Sequence, residues 1–140
     1  MAVVIVGFDF KFIEKFAEQI SCELNFGFVN LKKEFDKILL SYNGPITIEN
    51  EVLQIQETKL IEEYSKQNNT VVALSDDMLF SNSNYKKIEN NLIIFINNEN
   101  LNNFQIKLKN LLKNKKIIEI NQEKFNLNEI INNIRGYYDR

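Results

Sequence analysis

Two groups of residues in this 140-residue chain have the types and spacing to do chemistry. The first is Gly7-Phe8-Asp9-Phe10-Lys11-Phe12-Ile13-Glu14-Lys15, directly after the apolar run Ala2 to Val6. A glycine-led loop between a buried strand and a helix can turn backbone N–H groups inward around phosphate oxygens. It then needs a lysine for the outer phosphates and a Ser or Thr hydroxyl for magnesium. Here only Gly7 is a glycine, and Phe10 and Phe12 put rings where such a loop has to be thin. Glu14 adds a negative charge that competes with phosphate for the positive end of the helix. Lys11 is the nearby cation, at a position that reads as surface. The second group is Asp9, Asp76 and Asp77, with Glu57 in reserve. Carboxylates gathered beyond the strand ends could hold a hard cation or a positively charged ligand, or serve as an acid–base pair. The plainer reading is solvated loop acids that cap helix ends.

Other chemistries are closed by composition. Histidine is absent, which removes His-based triads, His general bases and His zinc ligands, and leaves Ser75 without the usual base. Cys22 is the sole cysteine, so no intrachain disulfide forms, and its helical setting reads as a packed position. One reduced thiol suits a cytoplasmic protein. Lys plus Arg number 17 against 19 Asp plus Glu, a net charge of −2, which argues against a nucleic-acid platform. Lys107, Lys109, Lys113, Lys115 and Lys116 make only a local patch. No apolar run approaches the ~20 residues of a membrane helix, and the N-terminus lacks the basic segment of a signal peptide.

The elements that position these residues follow from periodicity. Short β-branched runs at Ala2 to Val6, Phe26 to Val29, Thr70 to Leu74, Leu92 to Ile96 and Lys116 to Ile120 predict five strands. Phe12, Phe16, Ile20 and Leu24 make a helical stripe. Further helices are predicted at Leu31 to Leu40, Glu51 to Gln67, Leu101 to Leu112 and Leu127 to Tyr137, the last capped by Asn126 and ended by Gly136. Ser75 to Asn84 reads as a polar loop with an apolar island, Met78-Leu79-Phe80. Asparagine is abundant and reads as polar surface. The alternation gives a single domain over 1–140, a three-layer α/β/α architecture with a five-stranded, mostly parallel sheet. Ligands of such sheets sit beyond the carboxyl ends of the strands.

Val4-Ile5-Val6-Gly7-Phe8 resembles the first strand and phosphate-loop start of the shikimate kinases, a family with the P-loop kinase fold. The likeness runs without gaps from Gly7 to Asn30. It implies that the family's loop lysine falls at Ile13, its magnesium-side hydroxyl at Glu14 and two loop glycines at Phe10 and Phe12. It puts a substrate-binding Asp at Lys32. The Phe-Arg-x-x-Glu motif is similar to Leu53-Gln54-Ile55-Gln56-Glu57, where Gln54 stands for the arginine that holds the substrate carboxylate and only Glu57 is kept. The Gly-Gly-Gly after the third strand is similar to Ser75-Asp76-Asp77. The arginine-bearing lid has little room between Leu101 to Lys113 and the fifth strand.

Phosphoryl transfer rests on positioned positive charge, each such contact being worth roughly 3 kcal/mol. The lost residues all serve that step. The expectation is a non-catalytic shikimate kinase-like protein with an interaction or regulatory role and no cofactor, a protein partner or homodimer contact being left open. Phe8, Phe10 and Phe12, with Phe80, are expected to plug the old nucleotide site or to form an interface. Two alternatives stand beside it. One is a shikimate kinase or other small-molecule kinase that uses ATP and magnesium through an atypical loop. The other is a small-ligand or cation-binding protein using Asp9, Asp76 and Asp77. Candidate ligand-binding residues are therefore Gly7, Asp9, Lys11, Lys32, Gln54, Glu57, Ser75, Asp76 and Asp77.

Overall fold

Val3–Gly7 (β1) is buried along its whole length, as a strand covered on both faces has to be. The computed structural model describes residues 2–7, 9–47, 49–97, 106–107, 110–111 and 116–138, the side chains of 80–83 excepted. Along it follow α1 (Phe10–Leu24), β2 (Gly27–Asn30), α2 (Leu31–Ser41), α3 (Glu51–Ser65) and β3 (Thr70–Ser75). Then come a short helix α4 (Asp76–Phe80), a 3-10 helix (Ser81–Ile88), β4 (Leu92–Asn97), β5 (Ile117–Asn121) and α5 (Leu127–Tyr138). The five strands form one sheet in the order β2-β3-β1-β4-β5, every pairing parallel. The chain passes from one side of β1 to the other between β3 and β4. The carboxyl ends of these three strands therefore border the crevice where open α/β sheets take ligands.

Alternation along the strands divides the core into two layers. Val3 and Ile5 face Ile13, Phe16, Ala17 and Ile20 of α1 and Ile130, Ile131 and Ile134 of α5. Val4 and Val6 face Leu31 of α2, Ile61 of α3, Met78 and Leu79 of α4, and Ile88. The result is the three-layer α/β/α arrangement that the sequence predicts. Full burial of one such aliphatic side chain stabilises the fold by about 1.5–3 kcal/mol.

Several expectations need correction. The stretch read as a polar loop from Ser75 to Asn84 is strand end, α4 and 3-10 helix, and the island residues Met78 and Leu79 are core. Cys22, expected to be packed, is exposed on α1. Gly136 does not end the last helix, which continues to Tyr138. Asparagine is more than surface filler: Asn30, Asn50 and Asn126 accept backbone N–H groups at the starts of α2, α3 and α5. Asn25 closes α1 in the left-handed conformation at φ 57°. The helix expected at Leu101 to Leu112, the lid segment and Phe8 lie largely or wholly outside the described residues, as does the side chain of Phe80. Among the described residues no helix is long and apolar enough to cross a membrane.

Candidate functional site

At the tip of β1 the backbone turns into α1 almost at once. Asp9 is the N-cap: its Oδ1 accepts the Phe12 N–H at 3.3 Å, and its Oδ2 accepts from Gln122 Nε2 at 2.9 Å. A carboxylate thus stands at the positive end of the helix, where a bound phosphate would otherwise be favoured. Phe10, Lys11 and Phe12 are helical, so the residues aligned with the thin part of a phosphate loop form the first turn of α1. Ile13 is fully buried in the core beneath that turn. A lysine at Ile13 would have to bring its charge into an apolar layer. Gly7 has a packing reason to be glycine. A Cβ there would stand 2.7 Å from the Ile96 carbonyl oxygen and 3.0 Å from Ile13 Cδ1.

Of the rings near this turn Phe10 and Phe12 are partly buried, Phe16 is buried and Phe125 is exposed. Phe12 stacks on Phe16 at 5.7 Å, and Phe125 meets both edge-on. Phe10 carries the Lys32 ammonium over its ring at 5.2 Å, a cation–π contact. Lys32 therefore stands with Phe10, Glu14 and Asp36 around a surface hollow. Lys11 is exposed.

Across the crevice, Ser75 Oγ, Asp76 Oδ2 and Asn97 Oδ1 are buried without a hydrogen-bond partner among the described residues. They do not converge. Ser75 continues the face of Val71 and Ala73, whereas Asn97 continues that of Ile93 and Phe95, on the other side of the sheet. Burial pushes the Asp76 carboxyl above the usual carboxylate range, and the neighbouring Asp77 charge adds to this. Among the described residues no three acidic, histidine or cysteine side chains gather closely enough to hold a metal ion. Asp9, Asp76 and Asp77 are therefore not such a metal-holding group; Asp9 accepts instead from the Phe12 N–H and from Gln122.

A cavity of about 240 Å³ opens between α2, the 42–50 loop, α3 and the start of α4. Phe35, Leu39 and Leu53 give it apolar walls, with Ile46 and Thr47 from the loop. Its remaining lining is Gln54, Glu57 and Asp77, three of the residues singled out in the sequence. The loop is pinned by Asn50, whose Nδ2 donates to Tyr42 Oη at 2.9 Å and to the Pro45 carbonyl at 2.8 Å. Its Oδ1 meanwhile caps α3. Glu57 is buried and accepts from Asn84 Nδ2 at 3.0 Å. Asn84 also donates to the Met78 carbonyl and accepts from Thr58 Oγ1 at 2.6 Å. This buried network ties α3 to the 3-10 helix and fixes the Glu57 carboxylate beside the cavity.

Sequence reasoning does not find Asn84, Gln122 or the loop residues Ile46 and Thr47. The Tyr42-Asn43-Gly44-Pro45 turn is the signal available for that loop. Asn84 carries none, because a buried asparagine and an exposed one look alike in a sequence.

No family model matches the chain, and no curated protein matches it. Among solved structures it is similar to the shikimate kinase from Bacteroides thetaiotaomicron. The TM-score is 0.69 at 9% identity, over 100% of this chain and 99% of that one. It is also similar to the shikimate kinase from Aquifex aeolicus, with a TM-score of 0.63 at 16% identity, over 99% and 96%. At these identities the likeness establishes the fold, the P-loop kinase type of α/β sheet.

Proposed function

We propose that the chain is a non-catalytic protein on the shikimate kinase scaffold, with its nucleotide site closed and an interaction or regulatory role in the cytosol. The observation that carries this is the start of α1. The helix begins at Phe10, three positions after Gly7, with the Asp9 carboxylate on its N-terminus and Ile13 in the core. A nucleotide's phosphates need free N–H groups and positive charge at that point. Here the N–H of Phe12 is already taken by a side chain, and an anion stands in the way. An interaction role is supported by Leu40, Ile46, Val52 and Ile55, exposed apolar side chains near the junction of α2 and α3. The exposed thiol of Cys22 suits a reducing compartment.

The second reading, ATP- and magnesium-dependent phosphoryl transfer through an atypical loop, draws on Lys11, an exposed cation in the first turn of α1. Titration calorimetry with ATP and magnesium, paired with a coupled ATP-consumption assay on shikimate, separates the two. The first reading expects no saturable heat and no turnover. Magnesium-dependent nucleotide binding, or turnover lost on Lys11→Ala, would establish the second and end the first.

A further inference from the structure

α3 keeps apolar side chains on both of its sides. Leu53 and Ile61 are buried, while Val52 and Ile55 stand 53% and 50% exposed on the outer side. α1 and α5 show no exposed large apolar side chain. Of the six exposed large apolar side chains among the described residues, four lie between residues 40 and 55. A concentration of this kind marks a surface that another molecule covers.

The charges on the outer side of α3 say which molecule. Glu51, Ile55 and Lys59 are spaced four residues apart, so they form one ridge, with the acid and the base each about 6 Å along the axis from the isoleucine. All three are exposed. Neither Glu51 nor Lys59 has an ion-pair partner among the described residues, where the ion pairs are Lys37 with Glu34 and Lys87 with Glu62. A ridge that reads acid, apolar, base in one direction is complementary to itself in the other. Two copies of α3 packed antiparallel about a two-fold axis at Ile55 place each Glu51 opposite the partner's Lys59. Ile55 then meets its own counterpart, with Val52 beside it. Parallel packing would instead oppose acid to acid and base to base, which repels.

We infer that the outer side of α3 is a homodimer contact, on which a second copy of this chain packs antiparallel over Val52 and Ile55 with a Glu51–Lys59 pair at each end. A second copy is then the partner in the interaction role proposed above, and the assignment rests on that role, not on the closed first loop. A contact made by one helix from each copy lies at the small end of interface sizes, so the association is expected to be weak and reversible.

Sedimentation equilibrium of the full chain over about 10 μM to 1 mM reads this association directly. The mean mass is expected to rise with concentration from that of the 16.5 kDa monomer toward that of a dimer. Glu51→Lys alone and Lys59→Glu alone each set like charges opposite one another, and each is expected to weaken association roughly tenfold or more. An equimolar mixture of these two variants regains it, because every pair in the mixed dimer is again acid against base. Ile55→Asp is expected to abolish association. Circular dichroism identifies any charge variant that fails to fold, in which case Ile55→Asp, a change at an exposed site, decides alone. A wild-type chain that stays monomeric across this range, a dimer unchanged by Ile55→Asp, or folded charge variants whose mixture stays monomeric overturns the inference. A monomeric result leaves the closed nucleotide site untouched, whereas nucleotide binding in a parallel titration would end that reading and leave the dimer in place.

Discussion

Asp76 has one oxygen, Oδ1, accepting the Asp77 backbone N–H at 2.9 Å, while Oδ2 is buried without a partner among the described residues. Its carboxyl is held above the ordinary range, first by burial and then by the Asp77 charge. An acid whose folded pKa is raised binds its proton more tightly folded than unfolded. The resulting penalty is absent below the unfolded value, appears as pH rises through the interval and is complete above the folded value. Asp76→Asn keeps the Oδ1 acceptor and removes the charge. It is expected to stabilise the protein at neutral pH by about 0.5–1 kcal/mol, discounted for partial exposure. The gain should fade as pH falls through the carboxylate range. Urea denaturation of both proteins across that range measures it, and a gain that grows on acidification would refute the assignment. Single residues are unevenly legible in the sequence. Gly7 stands out by type, but the reason for it is a contact between strands far apart in the chain, since any Cβ at that position would lie 2.7 Å from the Ile96 carbonyl oxygen. Asp9 reads more plainly as a helix cap than as a cation ligand, and the structure shows the cap together with a bond the sequence does not announce, from Gln122 across the fold to its second oxygen.

At the level of elements, strong periodicity translates well and short irregular helix does not. The stripe Phe12, Phe16, Ile20 gives α1, and the apolar runs give all five strands within a residue or two at each end. The segment from Asp76 to Ile88 is too short per turn to show a 3.6-residue pattern. Its order comes from Met78, Leu79 and Ile88 in the core and from Asn84 bonded to Glu57 and Met78. The end of α5 misleads for a different reason. Glycine is the usual residue just past a helix end, yet here tertiary contacts carry the helix through it. Arg135 Nη2 donates to the Glu23 carbonyl at 3.3 Å, and the Tyr138 ring meets Phe26 edge-on at 5.2 Å. Gly136 has no positive φ, and a Cβ there would meet nothing within 4 Å. Gly136→Ala should therefore stabilise the protein by about 0.5–1 kcal/mol, by lowering unfolded-state entropy without strain. Thermal and chemical denaturation check this, and a loss of stability would show that the glycine is needed for its backbone.

For the whole molecule, the sheet order sets a gradient of stability. β1 lies between β3 and β4, and all three are buried almost end to end, with helices on both faces. β2 and β5 pair on one side only and are partly open to solvent. Opening an edge strand gives up one ladder and little apolar burial, whereas exposing β1 requires two ladders and both core layers to separate. Free energies of local opening span the range from near zero up to global unfolding, in units that follow packing of this kind. Amides of Val4, Ile5, Val72 and Ile94 are therefore expected to exchange only through global unfolding. Those of Val29 and Ile118 should exchange at least about tenfold faster, an opening cheaper by about 1.4 kcal/mol or more. Native-state hydrogen exchange over a urea series reads both classes directly. The same gradient places the cavity between α2 and α3 on the side of the weaker strand β2, which leaves its walls room to adjust without disturbing β1. If β2 and β5 instead exchange together with β1 at every urea concentration, the sheet opens as one unit and that freedom is lost.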